Sequence, residues 1–171
     1  TAILVGDALQ SLSFEILCDK KMNVDPSIKN ELIYSLARNS GASGMVLGQA
    51  LDIKAESTKK EISLEEIDDL QSYKTGMLIS WSCEVGAILA NEDRSPFKSF
   101  SSCIGLAFQI QDDILDVTGT SKTLGKKTGK DHSKNKATYV SKLGLDGAVR
   151  KNKMLVEEAC DSLAIFGKKA E

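Results

Sequence analysis

The sequence predicts an all-α protein, built as a bundle of helices in a single domain. Apolar residues recur at intervals of three and four along the chain, the spacing that places side chains on one face of a helix. The 171 residues include only two prolines, Pro26 and Pro96, so few positions interrupt a helix. No segment alternates apolar and polar residues as a half-buried strand does, and no hairpin dipeptide joins two apolar runs.

Start signals divide the first half of the chain into helices. The first predicted helix carries one apolar stripe, which comprises Val5, Leu9, Leu12 and Ile16. The second begins at Asp25 and Pro26, because Asp is a favourable N-cap residue and Pro suits the first turn of a helix. Ser63 and Glu66 have the spacing of a capping box. They predict the start of a long helix whose apolar stripe continues to Ile88.

The second half of the chain predicts two further helices separated by a loop. Ser95 and the proline after it open one helix, and Gly119 follows its last apolar turn as a stop. The stretch 118–135 is polar and rich in Lys and Gly, which is typical of a loop. The last helix is predicted from about Leu145 to Phe166.

Composition and charge exclude several function classes. The net charge is −2, from 22 basic and 24 acidic residues, so no overall field favours nucleic acid as a partner. The longest uncharged run, 99–111, is too short to span a membrane, which predicts no stable membrane anchor. The four cysteines match no metal-binding or redox spacing, and we expect them to be reduced and buried in a cytoplasmic protein. They are Cys18, Cys83, Cys103 and Cys160.

A cluster of aspartates late in the helix that begins near Ser95 is the most specific feature of the sequence. Asp112 and Asp116 are four residues apart, so they stack on one face, and Gln109 lies one turn earlier on that face. Asp113 points about 100° away. Like charges at this spacing, close to the C-terminal end of a helix, are locally unfavourable. Such breaks of a local rule are expected at functional sites.

A divalent cation would remove this penalty. Carboxylate oxygens without nearby His or Cys suit Mg²⁺, with Mn²⁺ possible, rather than Zn²⁺. The alternative is a solvated acidic helix end. The apolar run that precedes the aspartates argues against it, because a solvated face should not follow an almost wholly apolar helix.

Two basic segments could bind an anion. Lys74 and Thr75 precede Gly76 inside the long helix, and Gly76 permits a kink or the close approach of a ligand. The loop 124–136 is rich in Lys and Gly but lacks P-loop spacing. Taken singly, each could be an ordinary solvated surface, with His132 as a loop residue. Together with the aspartates and apolar helix faces, they predict a site for a ligand with a diphosphate head and a hydrocarbon tail.

These motifs, in this order and spacing, resemble the trans-isoprenyl diphosphate synthases of the short-chain bacterial type, the farnesyl and geranylgeranyl diphosphate synthases. The matching segments are GDAL at 6–9, GMVLGQALD at 44–52, KTG at 74–76, GLAFQIQDDILD at 105–116, LGK at 124–126 and KATY at 136–139. The resemblance covers nearly the whole chain. It implies a helical bundle of the isoprenoid (terpenoid) synthase type that is incomplete in this chain, and usually a homodimer.

In this family, Mg²⁺ bridges two aspartate-rich motifs to the diphosphate of an allylic substrate. That substrate ionises, isopentenyl diphosphate attacks the allylic cation, and a proton is lost. The resemblance implies that Asp112 is the direct Mg²⁺ ligand of the second motif. Asp113 and Asp116 would help through water or as weaker ligands. Asp131 matches an outer position of the metal site.

The resemblance also implies substrate-binding and catalytic roles. The residues that would contact the allylic diphosphate are Lys74, Lys126 and Lys136. Thr75 and Gln109 would face the developing cation, and Phe108 would help to hold the incoming isopentenyl diphosphate. Lys74, Thr75, Gln109 and Asp112 are therefore the predicted catalytic residues.

The chain departs from the family pattern in one large respect. It has no earlier DDxxD motif with the arginines that follow it, so residues 1–171 resemble the central-to-late part of a single polyprenyl synthetase domain. We therefore expect a fragment, catalytically incomplete by itself, and its start at a Thr within a helical pattern also suggests this. Two alternatives remain: a non-catalytic subunit that regulates a prenyltransferase, and a terpene cyclase of related fold.

Overall fold

The computed structural model describes residues 1–58, 62–119 and 137–170 and contains no strand within them. This confirms the all-α prediction. The helices are α1 (Ala2–Cys18), α2 (Pro26–Ser40), α3 (Met45–Thr58), α4 (Leu64–Gln71), α5 (Met77–Ala90), α6 (Ser95–Thr118) and α7 (Tyr139–Ser162). A π-helical segment, Ser72–Gly76, joins α4 to α5, and a 3₁₀ segment, Ala164–Ala170, follows α7.

Most of the sequence-based boundaries agree with the structure. The Asp25 side chain accepts a hydrogen bond from Ser27 N at the start of α2. Ser63 and Glu66 form the reciprocal capping box of α4, and Gly119 is the C-cap of α6. The predicted loop 118–135 lies almost wholly outside the described residues.

The predicted start and end of the last helix are wrong. α7 begins at Tyr139 because Thr138 and Ser141 form a capping box there. Gly144 interrupts it with φ 69° and ψ 165°, a backbone conformation that glycine adopts without steric cost. The apolar spacing alone becomes regular only after this break, and for that reason it predicted a start near Leu145. At the other end, α7 stops at Ser162, and the 3₁₀ segment replaces the predicted last turn.

Two apolar clusters form the core. The first cluster joins α4, α6 and α7 and contains Ile67, Ile110, Ile114, Tyr139 and Ala148. The second cluster joins α1, α2 and α5 and contains Leu17, Leu32, Leu36 and Ile88. α6 and α7 are also tied by Asn152, whose Nδ2 donates to Ala107 O at 2.9 Å. Ile110 and Ile114 of the first cluster therefore lie on the same part of α6 as the aspartates.

Some apolar positions on α1 and two of the cysteines do not lie in the core. The apolar stripe predicted on α1 is exposed, from 45% at Leu12 to 60% at Leu9. Leu17 is buried instead, and Phe14 packs beside it against the second cluster. The prediction of buried cysteines is wrong for Cys18 and Cys160, which are exposed, and Cys83 and Cys103 are only half-buried; all four thiols are free. No helix among the described residues is long and apolar enough to cross a membrane.

Candidate active site

The predicted aspartates lie on the last two turns of α6, which stays helical to Thr118. Gln109, Asp112 and Asp116 therefore share a face, as their spacing predicts. Their exposure differs along that face: Asp112 is exposed and Gln109 is half-buried, whereas Asp116 is only 9% exposed. The face thus runs from solvent at Asp112 into the protein at Asp116.

Asp113 points to a different neighbour, the first residue of α7. Its Oδ2 accepts a hydrogen bond from Tyr139 N at 2.8 Å. The first N–H groups of a helix lack partners within that helix, and the helix dipole is positive at this end. A carboxylate placed there makes a charge-assisted hydrogen bond, which is among the stronger kinds in proteins.

Tyr139 extends this contact to α4. Its ring is fully buried, and its hydroxyl donates to Asp68 Oδ1 at 2.7 Å. Lys151 Nζ donates to Asp68 Oδ2 at 3.1 Å and lies 5.2 Å from the centre of the Tyr139 ring. Burial, followed by the hydrogen bond and charge of Asp68 and the charge of Asp113, holds the pKa of Tyr139 far above its ordinary value. The hydroxyl is therefore a neutral donor at every physiological pH.

Lys74 and Thr75 lie in the π-helical segment between α4 and α5. Single π-helical turns inside longer helices occur frequently at functional sites. Lys74 Nζ is paired with the carboxylate of Asp52 on α3, and Asp52 is only 6% exposed. Asp52 was part of a matching motif, but the sequence assigned it no role. The structure places it as the partner of the predicted diphosphate-binding lysine.

Two glycines allow the π-helical segment Ser72–Gly76, hereafter the lysine segment, to lie close to α3 and α6. A Cβ at Gly48 on α3 would lie 2.1 Å from Lys74 N, and a Cβ at Gly105 on α6 would lie 3.3 Å from Gly76 Cα. The backbone of α6 therefore contacts the lysine segment at Gly105. Asp112 is seven residues further along α6, which is about 10 Å along the helix axis.

The other predicted site residues divide into two groups. Phe108 is 59% exposed on α6, and Thr75 is half-buried on the π-helical segment. Lys126, Lys136 and Asp131 lie outside the described residues. The structure therefore brings the lysine segment against the helix that carries the aspartates, and the placement of the two later lysines stays a prediction.

The donors present fit a magnesium ion. Within the described part of the chain, no three His, Cys, Asp or Glu side chains converge as a metal-binding cluster. Mg²⁺ usually takes one or two carboxylates and completes its octahedral shell with water and substrate phosphates. The exposed Asp112, with Asp116 one turn further on, supplies a donor set of this kind. A closed structural metal site would need a larger ligand set.

Comparison with known proteins identifies the family. A family profile described as polyprenyl synthetase matches residues 1–164. The chain belongs to the polyprenyl synthetase family. Family members with high similarity include the farnesyl diphosphate synthase of Escherichia coli, 42% identical over 167 residues, which cover 95% of this chain and 55% of that protein. The geranylgeranyl diphosphate synthase of Cyanophora paradoxa is 38% identical over 172 residues, which cover 99% of this chain and 57% of that protein.

Solved structures of the family agree with the fold. The apo crystal structure of an FPP/GFPP synthase from Zymomonas mobilis superposes with a TM-score of 0.85 at 41% identity, covering 99% of this chain and 56% of that one. A geranyltransferase from Helicobacter pylori, crystallised with magnesium and isoprenyl diphosphate, gives a TM-score of 0.83 at 36% identity, covering 98% of this chain and 55% of that one. The chain thus spans about half the length of the relatives it matches.

Proposed function

We propose that this chain is the central-to-late part of a short-chain trans-prenyltransferase, which condenses isopentenyl diphosphate with an allylic diphosphate to give farnesyl or geranylgeranyl diphosphate. The observation that carries the proposal is the packing of the Lys74 segment against α6 at Gly105, two turns before Asp112. This arrangement brings Lys74, paired with the buried carboxylate of Asp52, to the helix that carries the exposed carboxylate of Asp112, which would bind the metal. The names of the relatives support the same reaction.

The proposed reaction produces a negatively charged diphosphate and an allylic cation, and each of these charges needs its own stabilising groups. The C–O bond between the allylic carbon and diphosphate breaks, and the electron pair leaves with the diphosphate. The double bond of isopentenyl diphosphate then attacks the allylic cation, and a proton is lost. When bound, Mg²⁺ would neutralise charge on the leaving diphosphate, as metal ions do in phosphate chemistry.

Different residues of the chain would stabilise the negative charge of the leaving diphosphate and the positive charge of the allylic cation. Asp112 would hold Mg²⁺ directly, with Asp116 and Asp113 as weaker or water-mediated partners. Lys74 would contact the diphosphate together with Lys126 and Lys136. A fixed ammonium group aimed at developing negative charge lowers the barrier electrostatically. Thr75 and Gln109 would turn their dipoles toward the cation.

Phe108 and the apolar faces of the bundle would have two roles. Phe108 would help to hold the incoming isopentenyl diphosphate, and the apolar walls would keep water away from the cation.

We further propose that the protein acts as a homodimer in the cytoplasm. Sedimentation of the purified protein, measured over a range of concentrations, would give its oligomeric state.

The decisive experiment replaces Asp112 with Ala in the full-length protein. We expect kcat to fall about 100-fold or more, the usual cost of removing one group that stabilises charge in the transition state. Asp161→Ala, on the exposed end of α7, changes the same chemical group away from the site and should leave kcat unchanged. An unchanged rate in the Asp112 variant would remove the proposed mechanism.

Product analysis separates the alternatives in the same assay. A cyclic hydrocarbon formed without added isopentenyl units would identify a terpene cyclase. Activity that appears only after a distinct catalytic subunit is added would identify a regulatory subunit. Linear farnesyl or geranylgeranyl diphosphate, made by the protein alone, would support the proposed prenyltransferase.

A further inference from the structure

The adjacent aspartates of α6 have different surroundings. Asp112 is exposed, and it lies between Gln109 and Asp116 on the face that the three residues share. Asp113 directs Oδ2 to the N–H of Tyr139, the first residue of α7, at 2.8 Å. The helical repeat alone separates the two side chains by about 100° around α6, and the structure adds the partner that Asp113 meets on α7.

We propose that Asp113 is a positioning residue: by binding the N-terminus of α7 through Tyr139, it fixes the orientation of the α6 turn that presents Asp112. This inference rests on the proposed function, because it concerns the binding of Mg²⁺ and diphosphate at Asp112. Asp113 then contributes as a hydrogen-bond acceptor rather than as a direct metal ligand.

The contact can fix the turn because Tyr139 is itself held at three points. Its ring is fully buried in the first cluster against Ile67, Ile110 and Ile114. Its hydroxyl donates to Asp68 on α4. Its backbone N–H is bound by Asp113. The tyrosine therefore links three helices, and α6 cannot rotate about its axis without breaking one of these contacts.

Asp68 is fixed in turn by Lys151 on α7. Lys151 Nζ lies 3.3 Å from Oδ1 and 3.1 Å from Oδ2 of Asp68. It therefore binds both oxygens of the carboxylate that accepts the Tyr139 hydroxyl. The side chains of the pair are 26% and 36% exposed, and water therefore weakens the ion pair itself. Its geometric role is to keep the Asp68 carboxylate oriented toward Tyr139.

A comparison of Asn and Ala at position 113 tests this inference. An Asn side-chain oxygen can still accept the Tyr139 N–H, whereas Ala cannot. We would measure the binding of Mg²⁺ with inorganic diphosphate by calorimetry in the full-length protein, together with kcat and KM. Hydrogen exchange of the backbone amides at residues 139–142 would report directly on the start of α7.

The expected result is a separation of the two variants. Asp113→Ala should weaken Mg²⁺–diphosphate binding by about 10-fold to 100-fold, the usual effect of losing a group that orients a metal ligand. Its amides at 139–142 should also exchange faster. Asp113→Asn should stay within about threefold of wild type in both measurements, because the acceptor is kept.

Two further variants test the inference if Asp113→Ala folds poorly. Asp112→Asn removes the charge of the proposed metal ligand, so it should lose binding while amide exchange at 139–142 stays unchanged. Tyr139→Phe keeps the buried ring and its N–H bond to Asp113 but loses the bond to Asp68, and it should weaken Mg²⁺–diphosphate binding relative to its matched control. Tyr34→Phe is the matched control, since Tyr34 is 59% exposed on α2.

Failure of the inference differs from failure of the proposed function. If Asp113→Asn loses binding as fully as Asp113→Ala, with normal amide exchange, then Asp113 acts through its charge and the inference is overturned, while the proposed function stands. If the wild-type protein binds no Mg²⁺–diphosphate and forms no prenyl product, the proposed function is overturned and the inference falls with it.

Discussion

The two core clusters are held together by different kinds of interaction. The buried side chains of the second cluster, at α1, α2 and α5, are all aliphatic, as at Leu32 and Leu36, and its partly buried edge adds one hydrogen-bonding ring, Trp81, whose Nε1 donates to Ser35 Oγ at 3.0 Å. The first cluster has a tyrosine at its centre, and that tyrosine is bound by Asp68 and Asp113 at fixed distances. Apolar packing is non-directional, whereas hydrogen bonds fix angles as well as distances. The candidate site lies on the cluster whose geometry is specified most closely.

This comparison predicts that a cavity in the second cluster lowers stability but does not disturb the site. Leu32 is fully buried, so Leu32→Ala should lower the free energy of unfolding by about 4 kcal/mol, within the range of buried Leu→Ala changes. Urea denaturation measures the loss. Mg²⁺–diphosphate binding should be unchanged at temperatures where the variant is folded.

Leu12→Ala is the matched control for this variant. Leu12 is 45% exposed on α1, and the same chemical change there should cost less than about 1 kcal/mol. Loss of diphosphate binding in the folded Leu32 variant would show that the two clusters are coupled, and the comparison would then fail.

The next largest effect is expected where α3 crosses the lysine segment. A Cβ at Gly48 would lie 2.1 Å from Lys74 N and 2.4 Å from Lys74 Cα, and backbone atoms cannot rotate away as a side chain can. Gly48→Ala should therefore cost about 3 kcal/mol of unfolding free energy, at the upper end of overpacking effects. It should also displace Lys74 and weaken diphosphate binding.

Gly86→Ala provides the control. Gly86 lies on α5 with no neighbour within 4 Å of its added Cβ, so the change should stabilise the helix by about 0.5–1 kcal/mol. Thermal unfolding of both variants measures the difference. Equal stability of the two would show that α3 can move away from the lysine segment at little cost.

A smaller effect is expected from the ion pair of the lysine segment. Asp52→Asn keeps an acceptor for Lys74 but removes the charge, so it should cost about 1–2 kcal/mol of unfolding free energy, since hydrogen bonds to charged groups exceed neutral ones by roughly that amount. Because the Asn side chain holds the Lys74 ammonium less tightly, KM for the proposed allylic substrate should change as well. Unchanged stability and KM would show that Asp52 does not orient Lys74.

The smallest effect is expected at the cap of α2, next to the second cluster. Hydrogen bonds from the Ser27 hydroxyl, and then from the Ser27 backbone N–H, hold the pKa of Asp25 below its ordinary value of 3.8. A lowered folded-state pKa stabilises the fold above the unfolded pKa, and this contribution is lost as the pH falls through the folded pKa. Asp25→Ala should therefore be less stable than wild type at neutral pH, with a difference that shrinks below about pH 4.

Urea denaturation at several pH values measures this difference. Asp161→Ala, an exposed aspartate for which we expect no cap, gives the baseline for loss of one carboxylate. A difference between Asp25→Ala and wild type that stays constant from neutral to acidic pH would contradict the charged cap.

The sequence by itself determined the all-α class, because spacings of three and four admit only helices. It also determined most helix starts, because Asp25, Ser63 and Pro96 act through contacts with their immediate neighbours in the chain. The shared face of Gln109, Asp112 and Asp116 followed from the helical repeat alone. All of these features depend on residues within a few positions of one another, and local spacing is enough to predict them.

Only the tertiary structure decided which partners these residues meet. Asp52 lies 22 residues before Lys74, and Asp113 lies 26 residues before Tyr139, so no local pattern connects either pair. The exposure of the α1 stripe and of Cys18 depends likewise on which helices pack against α1. A carboxylate has the same side chain whether it binds a metal, a lysine or a helix N-terminus. Its role is fixed by the group that the fold places opposite it.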